Sequence, residues 1–313
     1  MNHSSWRYEN KKPSYLRTSK NLFDVISFDI YDKKIITKFI KKYKNKKNDS
    51  NETALMVSIQ NKRSDIANEL IDNNCELNCL DNSKNTALMH AIIHGQQAIA
   101  IRLINLNCDI NVRNMYYETA LSYAVSDFIN KNIAFALIDK NNLEFKQPAK
   151  MNFFRKKIIK IQLVDMQDIN GFPALMRVIT LLFDYKRLYA DNKQYDPTNY
   201  NEIAKKLITS TCNLNIKNKA NNNALEHAIK YELYEIIDLI IDKYILNDDI
   251  ASIDIENQLN RNKPIYHYIN QKIVKVYENK ILQIIKANDN IMAKCFNNLG
   301  DLNVVNLICL YCT

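Results

Sequence analysis

The sequence predicts an all-α solenoid of stacked helix-turn-helix repeats, with degenerate caps and insertions. Three observations predict it: a tripeptide recurring at a fixed interval, two short apolar helical stripes inside each interval, and a polar turn closing each one. The tripeptide is Thr-Ala-Leu, at Thr53-Ala54-Leu55, Thr86-Ala87-Leu88 and Thr119-Ala120-Leu121, two steps of 33 residues each. Self-similarity at a period of roughly 20–50 residues marks units that cannot bury an apolar face alone and must stack.

The second repeat shows how each element arises. Thr86 can cap a helix with its hydroxyl. Leu88, Ala91 and Ile92 then fall at i, i+3 and i+4, one apolar face. Gly95 breaks that helix, and Ile99, Ile101, Leu103 and Ile104 supply the apolar residues of the next. Asn107 ends the second helix where a left-handed residue is wanted. Cys108-Asp109-Ile110-Asn111 leads out through a polar turn to Thr119.

This pattern resembles the ankyrin repeat. The start is present as Thr-Ala-Leu-Met or Thr-Ala-Leu-Ser, with Ala where the family usually has Pro. The family's exit is matched by Asn74-Cys75-Glu76-Leu77-Asn78, Asn107-Cys108-Asp109-Ile110-Asn111 and Thr211-Cys212-Asn213-Leu214-Asn215. Gly is mostly replaced by Asn, which also tolerates positive φ, and the chain has only 3 Gly. The family's hydrogen-bonding His is missing: its place holds Met56, Met89, Ser122, Met176, Glu226 and Tyr266. Apolar packing is therefore expected to replace the usual polar network between repeats.

The phase continues irregularly at Pro173-Ala174-Leu175-Met176, Asn223-Ala224-Leu225 and Lys263-Pro264-Ile265-Tyr266-His267. The expected organisation is a polar tail (1–19), a degenerate capping repeat (20–50) and three regular repeats (51–145). A basic insertion follows (146–167), then two further repeats with an insertion near 183–199 (168–262), and a degenerate repeat and cap (263–313). The second insertion, with Tyr189, Tyr195, Asp196-Pro197 and Tyr200, is expected as a structured or turn-rich loop. Residues 300–308 read as a closing second helix.

No apolar run reaches the ~18 residues needed to span a bilayer, and the N-terminal residues show no secretory h-region. An intracellular, cytoplasmic monomer is expected. Heavy use of Asn, Lys, Ile and Tyr suits an AT-rich genome, as in large DNA viruses, some protists and intracellular parasites; if viral, the compartment would be the host cytoplasm. The 7 Cys have no disulfide-framework spacing; Cys75, Cys108 and Cys212 share one repeat position and are expected as packed free thiols. Cys309 and Cys312 form a lone pair without the second pair a zinc site needs.

Net charge is +9, concentrated in two stretches. Residues 33–47 carry eight Lys and no acid, and residues 146–160 carry five Lys, one Arg and no acid. In the first, Ile35, Ile36, Phe39 and Ile40 form a helical stripe, so its lysines read as the wet face of a capping helix. In the second, Arg155, Lys156, Lys157 and Lys160 flank Phe153 and Phe154, a mixture that could touch nucleic acid or another anionic surface. The alternative there is an ordered loop packed by its apolar side.

Catalytic signatures are missing. Three Gly leave no phosphate loop, and no nucleophile-centred motif is present. His90 and His94 stand at i and i+4, but Ala91 occupies the place of the Glu in a zinc-protease motif, and His227 and His267 recur at the position of His90. No cofactor or metal is expected.

A stacked-repeat protein is usually a surface for holding something. By the resemblance, the turn before each Thr projects as a finger, and the end of each first helix lines the same concave side. The residues so placed are Asn82, Ser83 and Asn85, then Met115, Tyr116, Tyr117 and Glu118, with Phe172 further on and Ile93 and His94 at a helix end. Aromatic anchors ringed by polar residues are the make-up of binding hot spots. The expected function is non-catalytic protein–protein recognition. The alternatives are anionic-surface or nucleic-acid binding through 33–47 and 146–160 and, by resemblance to viral ankyrin proteins, a ubiquitin-ligase substrate adaptor.

Overall fold

The computed structural model describes residues 22–27, 33–127, 130–146, 162–188, 198–247, 264–265 and 267–275. Twelve helices are bounded there: α1 (Leu22–Ser27), α2 (Lys33–Tyr43), α3 (Ala54–Gln60), α4 (Ser64–Asp72), α5 (Ala87–Ile93), α6 (Gln97–Asn105), α7 (Ala120–Ser126), α8 (Lys131–Lys146), α9 (Ala174–Leu188), α10 (Thr198–Thr209), α11 (Ala224–Lys230) and α12 (Tyr234–Leu246). Residues 264–265 and 267–275 are also helical, and the described residues form no strand.

Each regular repeat starts at a threonine held in extended backbone, with ψ of 162, 166 and 169 at Thr53, Thr86 and Thr119. Its Oγ1 accepts the orphan backbone N–H three residues on, from Met56 at 3.3 Å, Met89 at 3.2 Å and Ser122 at 3.2 Å. Pairing follows from the apolar faces. Leu55, Leu88 and Leu121 on the first helices are fully buried, as are Ile66 and Leu70, Ile99 and Leu103, and Ile133 and Leu137 on the second. Each such side chain contributes roughly 1.5–3 kcal/mol by leaving water.

The chain divides into two units: residues 1–178 with 196–212, and residues 179–195 with 213–313. In the first, first helices stack in the order α1, α3, α5, α7, and second helices in the order α2, α4, α6, α8, α10. Helix α10 lies beside α8 despite the chain between them, tied by Lys206–Asp139 at 2.6 Å and Lys131–Glu202 at 2.8 Å. A short 3-10 turn, Leu163–Asp165, buries Leu163 and Val164 against α8, with Asn141 Oδ1 accepting from Leu163 N at 2.9 Å. In the second unit α11 packs on α12.

Two expectations about the irregular region change. Phe183–Leu188 continues α9 and is not loop, because the amphipathic run from Ala174 carries on for two more turns. Tyr200 lies inside α10 and is buried there. Residues 189–197, the basic stretch 147–161 and the closing segment 276–313, including Cys309 and Cys312, lie outside the described residues.

The glycine-poor chain meets its left-handed positions with varied residues. Asn51, Asn74, Asn107 and Asn221 take positive φ as expected, but so do Lys62, Lys84, Tyr117 and Glu232. The left-handed region costs a residue with a Cβ about 1–2 kcal/mol, wherever it sits in the turn. At Gly95 (φ 68) an added Cβ would meet no atom within 4 Å, so its cost there is backbone strain alone. Cys75, Cys108 and Cys212 are buried free thiols. Burial raises the Cys75 thiol to about 11 and the Cys108 thiol to about 12, which leaves both unreactive at neutral pH.

Urea unfolding should show Gly95→Ala destabilised by about 1 kcal/mol although its Cβ clashes with nothing. Lys62→Gly, at the same turn position one repeat earlier, should gain about 0.5 kcal/mol after the entropy of the unfolded glycine is subtracted.

Candidate protein-recognition surface

Five fingers are built on one chemical device. At the base of each stands Asn48, Asp81, Asn114, Asp168 or Asn218. The backbone N–H of this residue donates to the carbonyl four residues on, and its carbonyl accepts from the N–H three residues on, in all five. Its side-chain Oδ1 then accepts from the backbone N–H groups that the turn leaves over. Asn114 Oδ1 takes Tyr116 N at 2.9 Å and Glu118 N at 3.0 Å; Asp168 Oδ1 takes Asn170 N at 2.8 Å and Phe172 N at 3.0 Å. Asn48 and Asn218 do the same two and four residues on, and Asp81 takes Asn85 N at 2.8 Å. Adjacent fingers are joined through the backbone, Asn82 N to Ser50 O at 3.2 Å and Met115 N to Ser83 O at 2.9 Å.

With the base spoken for, the tips are free to face solvent. Met115, Tyr116 and Tyr117 are 51%, 55% and 56% exposed, and Ile93 at the end of α5 is 47% exposed. Asn82 is exposed, while Ser83, Asn85, His94, Glu118 and Phe172 are half-buried. Two of these have jobs inside the stack: Asn85 Nδ2 donates to Asp81, and Glu118 accepts from Arg177. Phe172 closes its own finger through both backbone groups on Asp168, with its side chain half-buried. Ile169, one residue beyond that finger's base, is the exposed apolar side chain there, at 53%. Burial, with His90 and Lys62 nearby, holds the His94 imidazole below its usual range.

Beneath the fingers lies a polar row that corrects one expectation. Met56, Met89 and Met176 do pack apolar at the place of the missing His, yet the network between repeats persists one residue further along the first helix. His90 Nε2 lies 2.9 Å from Asp81 Oδ2, Asn114 Nδ2 donates to Tyr123 Oη at 2.9 Å, and Arg177 Nη2 donates to Asp168 Oδ2 at 2.7 Å. Each pair joins a finger base to the side chain nine residues on. Arg177 also reaches Glu118 at 3.0 Å and Ser126 Oγ at 3.0 Å, joining three parts of the first unit. The recurrent spacing of nine is the signal in the sequence that could have found this row.

In the second unit the same helix position holds His227, whose Nε2 lies 2.8 Å from Thr180 Oγ1 and whose ring meets Tyr231 edge-on. Burial, reinforced by Lys230, lowers this imidazole to about 4. Phe183 stacks on Tyr231 with ring centroids 4.2 Å apart.

Of the two basic stretches, only the first is described. Lys44 Nζ donates to Asn73 O at 2.6 Å and Lys47 Nζ to Leu80 O at 3.2 Å, so two of its lysines tie α2 and its turn to the next repeat. Lys33, Lys34, Lys38 and Lys41 are exposed and, with Thr37, line an open groove of about 640 Å³. Ile36 and Ile40 are buried on the opposite face. Arg155, Lys156, Lys157 and Lys160 lie outside the described residues.

The sequence profile for ankyrin repeats, in three copies, matches residues 26–114. Residues 26–114 are ankyrin repeats. Sequence comparison with curated proteins finds no significant match. Among solved structures, an ankyrin repeat domain from Acinetobacter baumannii AYE matches at a TM-score of 0.54 and 20% identity, covering 71% of this chain and 96% of that one. The crystal structure of another ankyrin repeat protein matches at a TM-score of 0.53 and 18% identity, covering 70% and 95%. These likenesses speak to fold: an all-α ankyrin solenoid. No helix among the described residues is long and apolar enough to cross a membrane.

Two substitutions probe the polar row of this ankyrin stack. Arg177→Met leaves Glu118 and Asp168 facing each other without their guanidinium, and should cost about 1–3 kcal/mol in urea unfolding, less than a fully buried pair because Arg177 and Glu118 are partly exposed. His227, lowered in the folded state, resists protonation there, whereas the unfolded chain takes up the proton near pH 6.5. Its contribution is therefore complete above that pH and is lost as pH falls towards about 4. Between pH 7 and 5 the wild type should lose about 1–2 kcal/mol more stability than His227→Gln.

Proposed function

We propose that this protein is a non-catalytic recognition scaffold that holds a protein partner on the fingers and first-helix ends of its first unit. Ankyrin repeats are generally protein–protein interaction modules and generally non-catalytic. The observation that carries the reading here is the fingertip Met115-Tyr116-Tyr117. Three consecutive large side chains are more than half exposed on a backbone pinned at its base and joined to its neighbour. Tyr117 takes φ of 61, the left-handed position that Lys84, Gly171 and Asn221 fill in the other fingers. Rigid aromatics presented this way bind at a low entropic cost.

Asn82, Ser83 and Asn85 on the preceding finger, with Ile93 and His94 below them, form the polar and apolar surroundings of this anchor. Glu118 braces the surface from within through Arg177, and the half-buried Phe172 lies on the next finger. Buried free thiols suit a reducing compartment, so the reading places the protein in the cell interior.

A second reading rests on the lysine-lined groove of α2, which presents Lys33, Lys34, Lys38 and Lys41 to an anionic surface or nucleic acid. The ubiquitin-ligase adaptor reading concerns residues 291–313, which lie outside the described residues.

Affinity capture from lysate at low and high salt, with nuclease in parallel, separates these readings. The scaffold reading expects discrete proteins retained at high salt and nuclease-resistant. It expects Tyr116→Ala or Met115→Ala to weaken their binding tenfold or more with stability changed by less than about 0.5 kcal/mol. Capture lost to salt or nuclease, and abolished by charge reversal at Lys38 and Lys41 or at Lys156 and Lys157, would overturn it.

A further inference from the structure

One three-residue node recurs at successive repeat junctions. It consists of the residue before the capping position, the base of the next finger, and the side chain nine residues after that base. At the second junction the node is Asn85, Asn114 and Tyr123. It is neutral, and Asn114 Nδ2 satisfies both neighbours at 3.0 and 2.9 Å. At the third junction it is Glu118, Asp168 and Arg177: two carboxylates, with a guanidinium donating to both at 3.0 and 2.7 Å.

The first junction repeats the two carboxylates without the guanidinium. Its node is Glu52, Asp81 and His90, with Asp81 and His90 buried and Glu52 half-buried. No described Lys or Arg forms an ion pair with either carboxylate there; Asp81 has the His90 imidazole at 2.9 Å, and Glu52 only neutral amide donors. One ligand atom from each of the three residues lies within 4.8 Å of the other two.

We propose that Glu52, Asp81 and His90 form a binding site for a divalent transition-metal cation of the zinc class, in the place where Arg177 puts its guanidinium at the third junction. Two carboxylate oxygens and one imidazole nitrogen are a donor set for zinc, cobalt or manganese; magnesium and calcium favour all-oxygen sites. Donor atoms about 2.0–2.2 Å from one ion stand roughly 3.3–3.6 Å apart, so the Asp81–His90 pair at 2.9 Å opens and Glu52 closes on it. Uptake exchanges the Asp81–His90 hydrogen bond for two coordinate bonds. The imidazole proton then resides on Nδ1, so the Gln60 amide, whose Nε2 faces that atom at 3.4 Å, must turn its oxygen to accept it and so release Glu52 Oε1 to the metal.

The surroundings already orient the ligands, as outer-shell partners do at metal centres. Asn48 Nδ2 donates to Glu52 Oε2 at 2.8 Å, and Asn85 N to Asp81 Oδ1 at 2.8 Å. His94 does not join the site: its ring stacks on His90 with centroids 6.1 Å apart. A cation there would fasten the first finger, the second finger and α5 together at one point.

The full chain, stripped of metal by a chelator, is titrated with Zn2+ by calorimetry and with Co2+ by visible absorption. One equivalent should bind with a dissociation constant of about 1–50 μM, and Glu52→Gln and His90→Gln should weaken it at least tenfold. His90→Arg rebuilds the arrangement of the third junction, so it should fold, melt no lower than the metal-free wild type, and take up no metal at this site. It decides the matter even if His90→Gln does not fold. No saturable binding below about 100 μM, undiminished binding in His90→Arg, or a sulfur-to-cobalt charge-transfer band showing that cysteines hold the metal would each overturn the proposal.

Discussion

One asparagine or aspartate oxygen at the base of each finger organises the structure around it. A reverse turn leaves backbone N–H groups with nowhere to donate, and an unmade buried hydrogen bond costs about 1–3 kcal/mol. Asn48, Asp81, Asn114, Asp168 and Asn218 meet that need from within their own turns. The capping residue then follows at a fixed distance and starts the next helix. Finger, cap and first helix thus form one continuous unit whose geometry hardly depends on what decorates it.

That independence explains what varies along the stack. The second side-chain atom of the base residue is left over, and each junction uses it differently: on an imidazole at Asp81, a phenol at Asn114, a guanidinium at Asp168. Fingertip residues are equally unconstrained, so Lys84, Tyr117, Gly171 and Asn221 all occupy the same left-handed position. The sharing out of roles is clear in Glu118 and Met115, four and one residues after the same Asn114: the first braces Arg177 inside the stack and the second faces water.

Much of this is legible in the sequence because period and capping are local. The Thr-Ala-Leu steps place α3, α5 and α7, and the apolar spacing places their partners, since both depend on residues a turn or two away. What the sequence hides depends on distance. The Asp81–His90 and Asp168–Arg177 pairs carry a fixed spacing of nine, but Glu52 reaches the first pair only because two fingers stack. Asn as the substitute for Gly is half the story; Lys62, Lys84, Tyr117 and Glu232 show that a turn with enough hydrogen bonds can impose positive φ on almost any residue. The full length of α9 is masked because Phe183–Leu188 mixes aromatic and basic residues as a loop would, while keeping helical spacing.

The central claim is that the fingertips are the contact surface and the lysine face of α2 is not. Photo-cross-linking tests it whatever the identity of the partner. A photoreactive amino acid at position 116 should yield a discrete cross-linked protein in lysate, whereas the same group at position 38 on α2, or at 101 on α6, should yield none. A product formed from position 38 and not from 116 would contradict the account.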